Sequence, residues 1–224
     1  GAKHIFYNNY NNPTGASSPS EEMERLADLV VKNDMFLISD DAYFDTLYDG
    51  TPKSIATLPG MFERTLTMYT FSKKFAMTGW RLGGSIGPKY IIDQINRLNV
   101  NMESCTTHFV QYAGIAGLKA PKQETQEIID VLRERRDILV NILNNIDGIE
   151  AHSPEAGFYV FPQITTLMKD IGFTDPEEFR KTVLNETGVS FCGRHHFGRP
   201  LEDEKDFYIR LAFSGIDKED LTEG

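Results

Sequence analysis

Cysteine is scarce in this sequence, basic residues are outnumbered, and long apolar runs are missing. Cys105 and Cys192 are its two cysteines in 224 residues, too few and too far apart for a disulfide framework. Two reduced thiols in a cytoplasmic protein are therefore expected. Lys and Arg total 23 against 33 Asp and Glu, a formal net charge of −10. Such a surface does not attract nucleic acid or an anionic membrane, so neither is expected as a partner. No apolar run reaches the length of a membrane-spanning helix, and the start carries no signal-peptide pattern. The adjacent His195 and His196 do not share a helix face and no Cys/His spacing fits zinc, so no metal is expected. Internal repeats and low-complexity segments are also missing.

With 40% hydrophobic and 25% charged residues, the composition is that of a globular protein, and the length allows one large domain or two small ones. His4 to Tyr7 reads as a short buried strand, followed by the Asn- and Pro-rich turn Asn8 to Gly15. Ser18-Pro19-Ser20-Glu21 predicts a helix start, with Ser18 as N-cap and Glu21 closing a capping box. Met35 to Ile38 is a compact apolar run that delivers Asp40 and Asp41 at its C-terminal end. Thr65 to Thr70 and Gly84 to Gly87 are further strand candidates. Strand, helix, strand with apolar strands is the pattern of a parallel α/β sheet, whose ligands gather beyond the strand C-termini. Asn12, Asp40 and Lys73 all follow strand candidates.

Helical spacing resumes after Pro88, with Ile91, Ile92, Ile95 and Leu98 on one face, and a longer helix runs from Pro121 to Leu143. Beyond Gly148 come Gly157 to Phe161, a helix near Asp175 to Glu186, and strands around Val189 to Phe191 and Phe207 to Phe213. This change of pattern predicts a partial large domain over residues 1–120 and a smaller α+β domain over 121–224.

The densest chemistry lies in Thr70-Phe71-Ser72-Lys73-Lys74-Phe75-Ala76-Met77-Thr78-Gly79-Trp80-Arg81-Leu82-Gly83-Gly84. A lysine at a strand end, walled by Phe71, Phe75, Met77 and Trp80, is partly desolvated and so a usable nucleophile and base. The hydroxyls of Thr70 and Ser72 and the guanidinium of Arg81 suit a phosphate dianion. An amine beside a phosphate cradle suggests a Schiff base with pyridoxal 5'-phosphate.

The run Ser-Lys-x-Phe-Ala-Met-Thr-Gly-Trp-Arg-Leu-Gly resembles the lysine signature of class I/II aminotransferases, the aspartate aminotransferase-like enzymes of fold type I. The resemblance implies that Lys73, rather than Lys74, carries the cofactor and that Arg81 binds its phosphate. In Ser39-Asp40-Asp41-Ala42-Tyr43 it assigns Asp40 to the pyridine nitrogen and Tyr43 to the ring oxygen. Asn11-Asn12-Pro13-Thr14-Gly15 is similar to the family's Asn-Pro-x-Gly turn and makes Asn12 a second donor to that oxygen. Tyr208 to Ser214 places one Arg in an apolar strand, an unusual location for an unpaired charge; it resembles the family strand whose arginine clamps the substrate carboxylate, here Arg210. Gly157-Phe158-Tyr159 matches a substrate-side turn, and Cys192 stands where the family usually has proline in Pro-Gly-x-x-Phe-Gly.

The resemblance implies an aminotransferase that moves an amino group between an L-amino acid and a 2-oxo acid, as a homodimer. Alternatives are a pyridoxal-phosphate-dependent lyase, an aminocyclopropane carboxylate synthase-like enzyme, and a catalytically incompetent fragment. The family's upstream segment, with its phosphate-binding loop and an aromatic stacked on the ring, has no counterpart before His4. The sequence is therefore expected to be an incomplete gene product lacking that N-terminal part.

Overall fold

The computed structural model describes residues 1–223. The chain divides into two compact units, one of residues 1–11 and 16–128, the other of residues 12–15 and 129 onward. The fold is mixed α/β with a parallel-rich sheet.

The first unit is built on the sheet β1 (His4–Tyr7), β2 (Phe36–Asp40), β3 (Thr65–Thr70) and β4 (Gly83–Ile86), in that spatial order. The first three strands are parallel and β4 returns antiparallel to β3. Parallel pairing of β2 with β3 sets Asp40 opposite Met68, so both strands end on the same edge. Helix α1 (Ser20–Lys32) connects β1 to β2 and buries Met23, Ala27 and Val30 against Leu37, Ile55 and Met61. Burying the larger of these side chains contributes roughly 2 kcal/mol each and Ala27 about 0.8 kcal/mol, the main source of cohesion here.

Two local expectations fail. The helix starts at Ser20 with Pro19 as N-cap and no side-chain cap. The Ser18 N–H, which Glu21 would accept in a capping box, is already held by Asn9 Oδ1 at 2.8 Å, while the Pro19 carbonyl accepts from Glu22 and Met23. Glu21 pairs instead with Arg25, one helical turn on. Strand β1 is buried on one face: Ile5 and Tyr7 join the core, and Phe6 remains 63% exposed.

Helix α2 (Lys89–Met102) follows, with Ile91, Ile92 and Ile95 half-buried and Leu98 exposed. Helix α3 (His108–Lys119) escaped the sequence reading; its Gly114 lies where an added Cβ would meet Leu82 and Phe71. Val110 of this helix packs with Phe71, Met77 and Leu82 into a second small core directly under the lysine segment. Helix α4 (Lys122–Asn144) buries Ile129, Leu132, Leu139 and Leu143, and carries the chain into the second unit.

The second unit contains β5 (Tyr159–Val160), α5 (Thr165–Asp170), α6 (Pro176–Thr187), β6 (Cys192–Gly193), β7 (Ile209–Ala212) and α7 (Asp220–Glu223). Its sheet has the order β5-β7-β6, all antiparallel. Helix α6 begins where Asp175 accepts from the Glu177 N–H at 2.8 Å and ends at Gly188 with φ of 78°, as capping chemistry favours. The strand expected over Val189 to Phe191 is displaced to Cys192–Gly193; Phe191 instead enters the core with Ile164, Met168, Phe179 and Ile209.

Candidate active site

In the first unit the predicted residues gather at the C-terminal edge of the parallel strands. Asp40 closes β2 and its Oδ1 accepts from Ala42 N at 3.1 Å. Tyr43 is buried in the turn that follows. Thr70 closes β3, and its hydroxyl lies 3.0 Å from that of Ser72 while also accepting the Ser72 N–H at 3.1 Å. Thr70 donates to Ser72 in this bond, which leaves the Ser72 O–H to donate to an anion.

Lys73 is half-buried, and its ammonium stands 5.6 Å from the centre of the Tyr43 ring. Lys74 points elsewhere, into an ion pair with Asp45 at 3.0 Å. The Tyr69 phenol donates to the same carboxylate at 2.6 Å. Burial, and then the Asp45 carboxylate, push the Tyr69 phenol far above its ordinary range. This Asp45-centred group lines a mostly apolar cavity of about 560 Å³ whose lining does not include Lys73.

The expected aromatic wall is partial. Phe71 and Met77 are buried, Phe75 stacks on Phe71, and Trp80 is 49% exposed because the short 3-10 turn Thr78–Trp80 turns it outward. Arg81 follows in the left-handed conformation with φ of 54° and is exposed. A polar chain ties it back: Arg81 Nη1 donates to the Thr78 carbonyl at 2.9 Å, and the Thr78 hydroxyl donates to the Ser72 carbonyl at 3.1 Å. Thr78 was not singled out in the sequence, though it lies within the motif.

Of the two adjacent carboxylates, Asp41 is the buried one, 4% exposed, with the Ser39 hydroxyl donating to its Oδ1 at 2.7 Å. Desolvation raises its pKa above the usual carboxylate value, against the lowering effect of the Ser39 and Ser54 hydroxyls. Asp40, on the alternate side of the strand end, is only half-buried.

In the second unit Arg210 is held on several sides. Its guanidinium carbon lies 4.2 Å from the Tyr159 ring centre and 4.7 Å from that of Phe197. Tyr159 faces Ala212 in the β5–β7 register, so Arg210 is its diagonal neighbour on one face. Nη1 donates to Asn12 Oδ1 at 2.8 Å and Nη2 to Cys192 Sγ at 3.7 Å. Nε is buried with no acceptor among the described residues.

Asn12 is positioned by its turn. The Asn12–Pro13 bond is cis, and Gly15 has φ of 69°. The Gly15 carbonyl accepts from Glu155 and Ala156 at 2.9 and 3.0 Å. An added Cβ at Gly15 would stand 2.3 Å from Pro154 Cβ, so close approach as well as backbone conformation requires glycine.

Arg194 pairs with Glu204 at 3.0 Å, and His195 Nε2 lies 3.5 Å from Glu177 Oε2. The ligating atoms of Glu177, His195 and His196 lie within 4.8 Å of one another. Arg180 takes both Glu177 oxygens, at 2.8 and 2.7 Å, and that bond holds the Glu177 carboxyl down at about 2. His196 Nδ1 accepts the Gly193 N–H at 3.0 Å, which puts the neutral ring's proton on Nε2. Glu177 is thus committed to Arg180 and His196 Nδ1 to Gly193, and a metal ion here would stand beside a guanidinium, which disfavours it.

These arrangements, an ammonium over a buried tyrosine ring, a hydroxyl pair at the end of β3, and a sandwiched arginine, fit the family suggested by the motifs. The family model for aminotransferase class I and II matches residues 1–224, and the chain belongs to that family. It is 36% identical over 212 residues to an aspartate aminotransferase of Musicola paradisiaca, covering 94% of this chain and 51% of that protein. An aromatic-amino-acid aminotransferase of Thermococcus litoralis is 35% identical, with 94% and 52% covered. Among solved structures, the aromatic aminotransferase from Pyrococcus horikoshii superposes with a TM-score of 0.88 at 34% identity, covering 99% of this chain and 57% of that one. The chain thus spans about half the length of the relatives it matches.

Among the described residues no helix is long and apolar enough to cross a membrane.

Proposed function

We propose that this chain carries the lysine and carboxylate-binding parts of a pyridoxal-phosphate-dependent aminotransferase acting on an L-amino acid and a 2-oxo acid. The observation that carries the reading is the divergence of two adjacent lysines: Lys73 extends toward Tyr43 while Lys74 is paired with Asp45. The donor set fits the cofactor, since hydroxyl pair, carboxylate, phenol and amine match its phosphate, pyridine nitrogen, ring oxygen and aldehyde.

When bound, pyridoxal phosphate supplies an electron sink for the electrons of the substrate Cα–H bond. Lys73 Nζ would hold the cofactor at its aldehyde and would take the substrate proton from Cα. Asp40 would hold the proton of the pyridine nitrogen by its negative charge. Tyr43 Oη would donate to the ring oxygen, and in the second unit Asn12, whose Oδ1 accepts from Arg210, keeps its Nδ2 as a donor. Thr70, Ser72 and Arg81 would hold the phosphate dianion. Arg210 would clamp the substrate α-carboxylate and so fix which bond of Cα is presented for cleavage.

The test uses borohydride reduction after addition of pyridoxal 5'-phosphate, followed by peptide mass spectrometry. Label confined to Lys73, lost in Lys73→Ala and kept in Lys74→Ala, is the expected result. Label spread over surface lysines, Lys74 included, would sink the assignment. Incubation with an amino acid and a 2-oxo acid then separates amino transfer from ammonia release, the mark of a lyase.

A further inference from the structure

We propose that Cys192 is a positioning residue for Arg210, its sulfur setting the in-plane rotation of the guanidinium that receives the substrate carboxylate. The proposal rests on the carboxylate-binding reading of Arg210 given above. Antiparallel pairing of β6 with β7 puts Cys192 directly opposite Arg210. Sγ lies 3.7 Å from Nη2, a hydrogen-bonding distance for sulfur, which is a weak acceptor.

The other contacts leave this sulfur a distinct task. Tyr159 and Phe197 hold the guanidinium through its faces. Stacking of that kind resists tilting but lets the group turn within its own plane, because the ring quadrupole attracts the charge without directing individual N–H bonds. Two directional contacts are needed to stop that turn. Asn12 Oδ1 provides one on Nη1 and Cys192 Sγ the other on Nη2. Each terminal nitrogen has two N–H groups, so one remains on each, the pair a carboxylate takes bidentately. The side edge of the fork is closed because Nε is buried. Cys192 therefore selects the end-on edge as the docking edge.

The test is titration of the protein with acetate, the bare carboxylate, followed through the backbone N–H resonances of β7 (Ile209–Ala212), which every variant retains, with melting temperature as a folding control. Cys192→Ala is expected to raise the acetate dissociation constant about three- to tenfold, and Cys192→Ser, which restores an acceptor, to bring it back within about twofold. In an Arg210→Lys background, Cys192→Ala is expected to change nothing further, because the sulfur acts through the arginine. Acetate should also slow alkylation of Cys192 relative to the exposed Cys105, an internal reference. If Arg210→Lys weakens acetate binding while Cys192→Ala matches wild type, the positioning role is overturned and the reading of Arg210 stands. Acetate binding that is unchanged by Arg210→Lys overturns both.

Discussion

Lys73 lies on the connection between β3 and β4, whereas Arg210 lies within β7, and their surroundings differ accordingly. The hydroxyls and guanidinium of the lysine loop bond to near neighbours in sequence: Thr70 to Ser72, Thr78 to Ser72, Arg81 to Thr78. The two lysines reach across to Tyr43 and Asp45 of the preceding connection. Around the arginine, contacts come from distant segments, Asn12, Tyr159, Cys192 and Phe197. The first arrangement is organised by a contiguous loop, the second by sheet register and a turn. A change remote in sequence should therefore disturb the arginine side more than the lysine side.

The largest expected effect comes from Gly15→Ala. The new Cβ would meet Pro154 at 2.3 Å and Ala156 O at 3.2 Å, at a φ of +69° that L residues rarely adopt. A loss of about 3 kcal/mol in denaturant unfolding is expected. The turn carrying Asn12 would shift with it, so Arg210 would lose the partner on Nη1. A variant as stable as wild type, with unchanged carboxylate binding, would break the claim that this turn organises the arginine.

Tyr159→Leu is expected to have a smaller effect, keeping most of the packing but removing one face of the sandwich. Acetate binding should weaken about fivefold, the usual size of a partly desolvated cation–π contact. On the lysine side, Thr78→Val removes the hydroxyl that ties residues 78 to 81 back to Ser72. The expected cost is about 0.5–1 kcal/mol, read by thermal melting, with carboxylate binding unchanged. An effect of Thr78→Val on acetate affinity as large as that of Tyr159→Leu would erase the contrast.

The same contrast explains what was legible in the sequence. Thr70 to Gly84 could be read because its residues are contiguous and follow an apolar strand, and Arg210 drew attention as a charge among apolar neighbours. The partners of Arg210 could not be derived in this way. That Tyr159 and Cys192 flank it depends on the β5–β7 and β6–β7 registers, which pair short strands far apart in sequence. Helix α3 was hidden because Gly114 and Gly117, poor helix formers, are tolerated for close packing against Leu82, Phe71 and Phe75. The capping box expected at α1 does not close because the Ser18 N–H that Glu21 would accept is claimed by Asn9, nine residues away, a demand that local capping rules do not see.

The smallest expected effect tests the buried carboxylate of the lysine side. Desolvation raises the Asp41 pKa above its ordinary value of 3.8. Between that value and the folded-state pKa, the native protein keeps a proton that the unfolded chain has released. Stability therefore falls as pH rises through this window, and above it the native state carries the cost of a buried charge. Asp41→Asn can still accept from the Ser39 hydroxyl but cannot ionise. Its melting temperature relative to wild type should therefore rise as the pH is taken upward from about 4 toward neutrality. A constant difference across that range would mean that Asp41 is not desolvated as its burial implies. A difference that shrank with pH would mean that the native state stabilises the ionised form, as a nearby cation would make it do.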